Sequence, residues 1–163
     1  MPFASVVADA NVLLSAVVGK AALRVFTQSD IVVHVAQFNA DEVTEYLPYM
    51  TRKYGLQAEL VEMQWKLLPL RIHPLGDYRS QLQRAISDLK RRDPEDAHAL
   101  ALARFLALPI SSNDRDLGNL DVECCDSLLT QNNFRKKQIN MTDFVDSREL
   151  RTLRLKDGGF LSV

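Results

Sequence analysis

The sequence predicts an α/β fold with a mainly parallel central sheet that helices cover on both faces. Short apolar runs, rich in β-branched residues, recur along the chain, and longer stretches with helical periodicity separate them. Strands that alternate with helices in this way form crossover units, which place parallel strands in one sheet. The 163 residues are 47% hydrophobic. A chain of this size can bury enough apolar surface for a single domain, residues 1–163, without disulfides or structural metal.

Four strands are predicted. The first run ends at Asp9 and the second ends before Asn39, and both have the continuous apolar pattern of strands that are buried on two faces. The later two runs are shorter and are bounded by turn residues. The predicted strands are residues 3–8, 31–36, 70–73 and 109–112.

Helices are predicted between these strands. The helix after the second strand contains Pro48, which is expected to kink or end it because proline donates no backbone hydrogen bond. The clearest helix start is Asp93-Pro94-Glu95-Asp96, where a polar cap precedes proline and acidic residues fill the first turn. Further helices are predicted directly after the first strand and over residues 57–68 and 77–89.

Charge and cysteine content limit the class of protein. The net charge is −1, from 20 Lys and Arg against 21 Asp and Glu, which argues against a polybasic nucleic-acid binder. Residues from about 121 to 163 are predicted to be a divergent C-terminal extension of the same domain, with its basic excess in residues 135–163. The two cysteines, Cys124 and Cys125, are adjacent, which favours a reducing compartment. No apolar run reaches the ~18 residues of a membrane span, so we expect a cytoplasmic protein without a membrane partner.

Carboxylates follow the predicted strands at the points where ligand sites form. Asp9 directly follows the first strand and Asp114 follows the fourth, while Glu42 and Asp96 stand in first turns of helices. In an open parallel sheet, ligands bind beyond the carboxyl ends of the strands, where the strand order reverses. Like charges 4 Å apart repel by about 4 kcal/mol at an effective dielectric of 20, so four carboxylates in one crevice require a cation. Oxygen ligands favour Mg²⁺ or Mn²⁺, which suits cleavage of a phosphodiester by a metal-activated water.

Four segments resemble the motifs of PIN-domain proteins, and they occur in the order typical of that family. The resemblance implies a three-layer α/β/α Rossmann-like sandwich and a Mg²⁺- or Mn²⁺-dependent endoribonuclease, often the VapC-like toxin of a type II toxin–antitoxin pair. It also implies RNA as the substrate, an antitoxin protein as a partner of such a toxin, and a homodimer. The four segments are residues 6–16, 41–47, 92–101 and 109–117.

The resemblance also implies the roles of individual residues. Asp9, Glu42, Asp96 and Asp114 match the catalytic acids of the family, and Asp116 stands beside them. Metal ligands are then expected to be Asp9, Asp96, Asp114 and Asp116. Two small polar residues are expected to support the site, namely Asn11 and Ser112. Candidate contacts to nucleic acid are the basic residues Lys90, Arg91, Arg92 and Arg115.

Simpler explanations exist for several of these residues. Asn39 and Glu42 have the spacing of a capping box, and Asp96 could stabilise a helix start that Asp93 caps. Asp114 and Asp116 lie in a segment typical of turns. His34 lies inside an apolar strand and is interpreted as a core residue, while His98 is expected on a helix flank; neither has a partner at metal-ligand spacing.

Two other functions are compatible with an acidic α/β protein. The first is a non-catalytic PIN-like module that binds RNA or a protein, although the complete set of four acids argues against it. The second is an Asp-based phosphotransfer domain, which is disfavoured because Asn11 stands where such phosphatases need a second carboxylate. No glycine-rich phosphate loop follows a predicted strand.

Overall fold

The central sheet contains four strands, all parallel to their neighbours. A computed structural model describes residues 5–18, 31–89 and 94–112. The strand order is β3-β2-β1-β4, with Val7 of β1 in register with His34 of β2 on one side and with Ile110 of β4 on the other. The strands are β1 (Ser5–Ala8), β2 (Val32–Ala36), β3 (Leu70–His73) and β4 (Ile110–Ser111). The predicted α/β class and parallel sheet are confirmed.

Five α-helices connect these strands in the described part of the chain, and a short 3₁₀ turn, Pro94–Asp96, precedes the last of them. Of the two effects expected of Pro48, a kink or an end of the helix, the structure excludes the end, because this helix continues to Lys53. Pro48 and Thr44, whose carbonyl loses its helical donor, are both exposed, so water can replace the missing hydrogen bond. The helices are α1 (Ala10–Val18), α2 (Gln37–Lys53), α3 (Ala58–Leu67), α4 (Leu75–Asp88) and α5 (Ala97–Leu106).

Alternate residues of the strands face two separate hydrophobic cores, which gives the molecule three layers. Val6 and Ala8 of β1 belong to the core that α1, α2 and α3 cover. Val7, on the opposite face of the same strand, belongs to the core formed with α4, α5 and Ile110. Both cores contain fully buried side chains, as expected for a parallel sheet that is covered on both faces. No helix among the described residues is both long and apolar enough to cross a membrane.

Helices α4 and α5 lie side by side and run in the same direction. Near their first turns, the Tyr78 hydroxyl and His98 Nδ1 are joined by a hydrogen bond of 3.0 Å. Near their last turns, Arg104 Nη2 and Asp88 Oδ2 form an ion pair of 2.7 Å. Because α4 starts directly after β3, it starts at the carboxyl edge of the sheet. The first turn of α5 therefore lies at that same edge.

Candidate active site

The sheet has its topological switch point between β1 and β4. The chain adds β2 and β3 on one side of β1 and then crosses the sheet to add β4 on the other side. In open parallel sheets, such a switch point is where ligands bind, in the crevice at the carboxyl ends of the two strands. Ser111 and Ser112, at the end of β4, are buried at this place.

Asp9 occupies the β1 side of the crevice. The residue is 3% exposed, and its main-chain N–H donates to the carbonyl oxygen of Ser111 at 3.3 Å. Its Oδ1 accepts a hydrogen bond of 2.8 Å from the main-chain N–H of Val12, which is the typical bond of a helix N-cap. Asp9 thus caps α1 through one oxygen, while its carboxylate is held at the switch point.

Glu42 lies one turn into α2, beside the buried residue Asn39. Asn39 Nδ2 donates to Glu42 Oε2 at 3.4 Å. The helix has already begun at Gln37, with Ala36 as its N-cap and no side-chain cap hydrogen bond. The capping box considered from the sequence is therefore wrong, because Asn39 and Glu42 both lie inside the helix.

Asp96 ends the 3₁₀ turn and directly precedes α5. Its side chain makes no cap hydrogen bond to the helix. Two residues later, the ring of His98 stacks on Phe38 of the first turn of α2, with centroids 4.0 Å apart and planes 6° from parallel. The ring contact holds the starts of α2 and α5 together; Glu42 lies four residues after Phe38, and Asp96 lies two residues before His98.

A family comparison agrees with this architecture. The family model described as PIN domain matches residues 7–152, which is most of the chain. The chain belongs to the PIN-domain family. The match includes the second half of β1 and all of β4, the two strands at the switch point, and it continues through most of residues 121–163. A search of curated proteins finds no match to the chain. PIN domains are generally nucleases, so family membership supports a hydrolase role.

The oxygen donors of this PIN domain fit a hard divalent cation. Asn11 Oδ1, in the first turn of α1, is buried but accepts no hydrogen bond from any residue that the structure describes. Asn39 Oδ1, in the first turn of α2, is likewise buried and accepts no hydrogen bond from any described residue. A buried acceptor without a donor is costly, and a cation can replace the missing donor. Carbonyl and carboxylate oxygens are the ligands that Mg²⁺ and Mn²⁺ prefer, and PIN nucleases typically use divalent metals.

Several predicted site residues lie outside the described part of this PIN domain. Within residues 5–18, 31–89 and 94–112, no group of three or more His, Cys, Asp or Glu side chains is placed to hold a metal ion. The roles of the acids after β4 and of the basic residues therefore stay predictions. The predicted residues outside the described ranges are Lys90, Arg91, Arg92, Asp114, Arg115 and Asp116.

Phe38, Tyr78 and His98 form an aromatic cluster beside the starts of α2, α4 and α5, which the sequence did not indicate. Tyr78 is fully buried and bonds His98 at Nδ1, as described above. The pKa of Tyr78 is raised to about 12, mainly by burial and to a smaller extent by the nearby carboxylate of Asp41. Its hydroxyl therefore stays protonated and can donate at neutral pH. Burial lowers the pKa of His98, which favours the neutral ring. The prediction of His98 on a helix flank missed this packed position.

A pair of histidines lies across the neighbouring strands β2 and β3. His34 is buried in β2, and its Nδ1 is 2.9 Å from Nε2 of His73 on β3. His73 Nδ1 in turn lies 3.2 Å from Asp77 Oδ2. Burial, followed by the charges of His73 and Arg71, lowers the pKa of His34. His34 is buried and hydrogen-bonded, so its interpretation as a core residue is confirmed.

Proposed function

We propose that this PIN domain is a Mg²⁺- or Mn²⁺-dependent endoribonuclease. The observation that carries the proposal is the position of Asp9, a carboxylate 3% exposed at the switch point between β1 and β4. A buried carboxylate is costly unless a cation or a set of hydrogen bonds stabilises its charge. The helix cap accounts for one of its oxygens. A nuclease metal site accounts for a carboxylate at this location.

The proposed ligands come from both sides of the crevice. Asp9 and Asp96 hold the cation together with Asp114 and Asp116, and Glu42 completes the catalytic acids. When bound, Mg²⁺ or Mn²⁺ supplies a Lewis acid that polarises the phosphate and lowers the pKa of the attacking water. Asn11 offers its buried Oδ1 to the same site, and Ser112 supports the β4 side.

RNA binding is proposed to involve basic residues that flank the acidic site. Lys90, Arg91 and Arg92 precede the turn that carries Asp96, and Arg115 follows Asp114. Lysine and arginine contacts to the backbone orient a single strand without reading its sequence. The toxin role in the cytoplasm, with an antitoxin partner, is part of the proposal because the motifs resemble such toxins. A small partner gene beside the gene of this chain would support that role.

The decisive experiment is a cleavage assay on total RNA with Mg²⁺, Mn²⁺ or EDTA, in which the cut ends are mapped. We expect cleavage with either metal, none with EDTA, and a loss of at least about a hundredfold in Asp9→Asn. Glu42→Gln and Glu45→Gln form a matched pair, because Glu45 lies three residues further along the same helix and is exposed. Glu42→Gln should lose activity, and Glu45→Gln should retain it.

The alternative of a non-catalytic module makes a different prediction. A chain that binds RNA but leaves it intact with every metal would support that alternative. Full cleavage by a folded Asp9→Asn variant would exclude the proposed site. Circular dichroism of each variant separates a loss of chemistry from a loss of structure.

A further inference from the structure

Phe38 is a large apolar residue that belongs to neither hydrophobic core. It is the second residue of α2, and it is partly exposed. One face of its ring lies on the ring of His98, with centroids 4.0 Å apart. No other aromatic ring among the described residues is stacked on Phe38. The part of the residue that solvent reaches therefore lies away from the face that His98 covers.

Phe38 stands at the same edge of the sheet as Asp9. Helix α2 starts directly after β2, and β2 is the neighbour of β1, which ends before Asp9. Continuing the register of these two strands places Ala36 level with Asp9, and Phe38 follows two residues later. Neighbouring strands lie about 5 Å apart. Phe38 is therefore one strand away from the residue that carries the proposed nuclease function.

The polar neighbours of Phe38 make its surroundings unsuitable for a phosphate group. Asp41, three residues along the helix, is exposed and accepts a hydrogen bond of 2.7 Å from Gln37 Nε2. Glu42 lies four residues after Phe38, so both acids are on the side of α2 that Phe38 occupies. Carboxylates at these positions repel a phosphate, whereas the flat face of a nucleobase carries no charge and stacks on aromatic rings.

We propose that the ring of Phe38 stacks on an unpaired base of the RNA substrate, next to the phosphate that is cleaved. The inference rests on the proposed nuclease function and adds a substrate-binding residue to that site. The stack on His98 joins α2 to α5, so the ring of Phe38 is already ordered before RNA binds. An ordered ring loses little conformational freedom on binding, which favours affinity.

This contact selects unpaired nucleotides rather than a particular sequence. Every base has a face that can stack on an aromatic ring, so the contact tolerates all four bases. In a duplex, neighbouring base pairs cover both faces of a base, and the base must leave the stack before it can reach Phe38. We therefore expect cleavage of single-stranded RNA to have a lower KM than cleavage of the same RNA annealed to its complement.

Cleavage kinetics on a short single-stranded RNA test the proposal. Once the cleaved bond is mapped, the base on either side of it is removed in turn to give two abasic substrates. On intact RNA, Phe38→Leu should raise KM by about tenfold and change kcat little, because a stacked base contributes to binding. On the substrate that lacks the stacked base, Phe38→Leu and the wild type should have the same KM, since the contact is already absent.

Phe105→Leu is the matched control. Phe105 is 46% exposed and lies on α5, the helix that carries His98, but in the last turn rather than the first. The control should have the KM of the wild type on every substrate. Phe38→Tyr keeps a flat ring at the proposed contact and should bind intact RNA like the wild type. Circular dichroism verifies that each variant is folded.

A purely structural role for Phe38 gives a different result. If the ring only holds α2 against α5, Phe38→Leu lowers activity on intact and abasic RNA by the same factor, and that result would overturn the proposal. An unchanged KM of Phe38→Leu on intact RNA would overturn it too, because the ring then contacts no base. Equal values of KM for single-stranded and annealed RNA would also contradict it.

A binding measurement without cleavage separates this proposal from the nuclease function. Fluorescence anisotropy of a labelled single-stranded RNA is recorded in EDTA at low salt, with the wild type, Phe38→Leu and Phe105→Leu. Weaker binding by Phe38→Leu alone, in a chain that cuts RNA with no metal, supports the stacking and excludes the nuclease. Cleavage whose KM is the same in Phe38→Leu supports the nuclease and excludes the stacking. A chain that neither binds nor cleaves RNA excludes both.

Discussion

Asp9 and Ser111 are joined by a main-chain hydrogen bond of 3.3 Å, from the N–H of Asp9 to the carbonyl oxygen of Ser111. This bond fixes the end of β1 to the end of β4 at the switch point of the sheet. The Asp9 side chain also caps α1 through Oδ1. The same residue therefore has a structural role and a proposed catalytic role, and substitutions can separate the two.

Asp9→Asn and Asp9→Ala should differ in stability although both lose activity. Asparagine keeps an oxygen that can accept from the Val12 N–H, whereas alanine removes the cap, which costs about 1 kcal/mol. We expect Asp9→Ala to have the lower free energy of unfolding in urea by about that amount. Equal stability of the two variants would show that the Val12 bond contributes nothing measurable.

Divalent metal should stabilise the wild type and leave Asp9→Asn unaffected. A ligand that binds only the folded state at about a hundred times its dissociation constant raises the free energy of unfolding by about 2.7 kcal/mol. We expect the melting temperature of the wild type to rise with Mn²⁺ and to return to its starting value with EDTA. The same rise in Asp9→Asn would place the bound ion at another site.

Tyr78→Phe should weaken the contact between α4 and α5. The substitution removes the bond to His98 Nδ1 and keeps the buried ring, so we expect a loss of about 1 kcal/mol. Tyr49→Phe is the control, because Tyr49 is partly buried and its hydroxyl has no hydrogen-bond partner in the described ranges. Urea unfolding at pH 7 measures both effects.

Alkaline pH should destabilise the wild type through the same hydroxyl. The pKa of Tyr78 is raised from 10 in the unfolded chain to about 12 in the fold. Ionisation therefore favours the unfolded chain as pH rises from 10 towards 12, and stability falls. Two pKa units set an upper limit of about 2.7 kcal/mol on this loss. Tyr78→Phe should show a smaller decline over the same range.

Acidic pH should destabilise the fold through His34 and His98. Burial lowers the pKa of both rings below the ordinary value of 6.5, and the charges of His73 and Arg71 add to the effect at His34. The unfolded chain then binds protons more readily, so stability is complete above pH 6.5 and decreases as pH falls below it. We expect a lower melting temperature at pH 5.5 than at pH 7.5, and a smaller difference in His34→Gln/His98→Gln. An unchanged difference would assign the effect to other groups.

The position of Asp9 can be predicted from the sequence because the pattern around it is local. A fully apolar strand ends in a carboxylate and a helix starts directly afterwards, so the sheet edge is the place for that side chain. The parallel sheet follows from similar evidence. The start of α2 at Gln37 could not be predicted in this way, because its N-cap residue, Ala36, has no side chain that can accept a capping hydrogen bond. The local spacing of Asn39 and Glu42 suggested a cap, but the packing of α2 against the sheet determines where the helix begins.

The cluster of Phe38, Tyr78 and His98 could not be predicted for a different reason. Twenty residues or more separate its members in the chain, and each has an ordinary local pattern. Their contact depends on α4 and α5 running in the same direction, which no local signal specifies. Likewise, the pairing of His34 with His73 depends on the register between β2 and β3.

The central position of β1 affects the order in which the crevice is completed. β1 is the first strand along the chain, but its second neighbour, β4, begins only at Ile110. The pairing of Val7 with Ile110 is thus among the most distant contacts of the sheet, and such contacts close late in folding. A chain that has folded only β1, β2 and β3 already has Asp9 but lacks one wall of the crevice. The edge that carries the proposed nuclease site is therefore completed only when β4 joins the sheet, so we expect that partly folded chains do not cleave RNA.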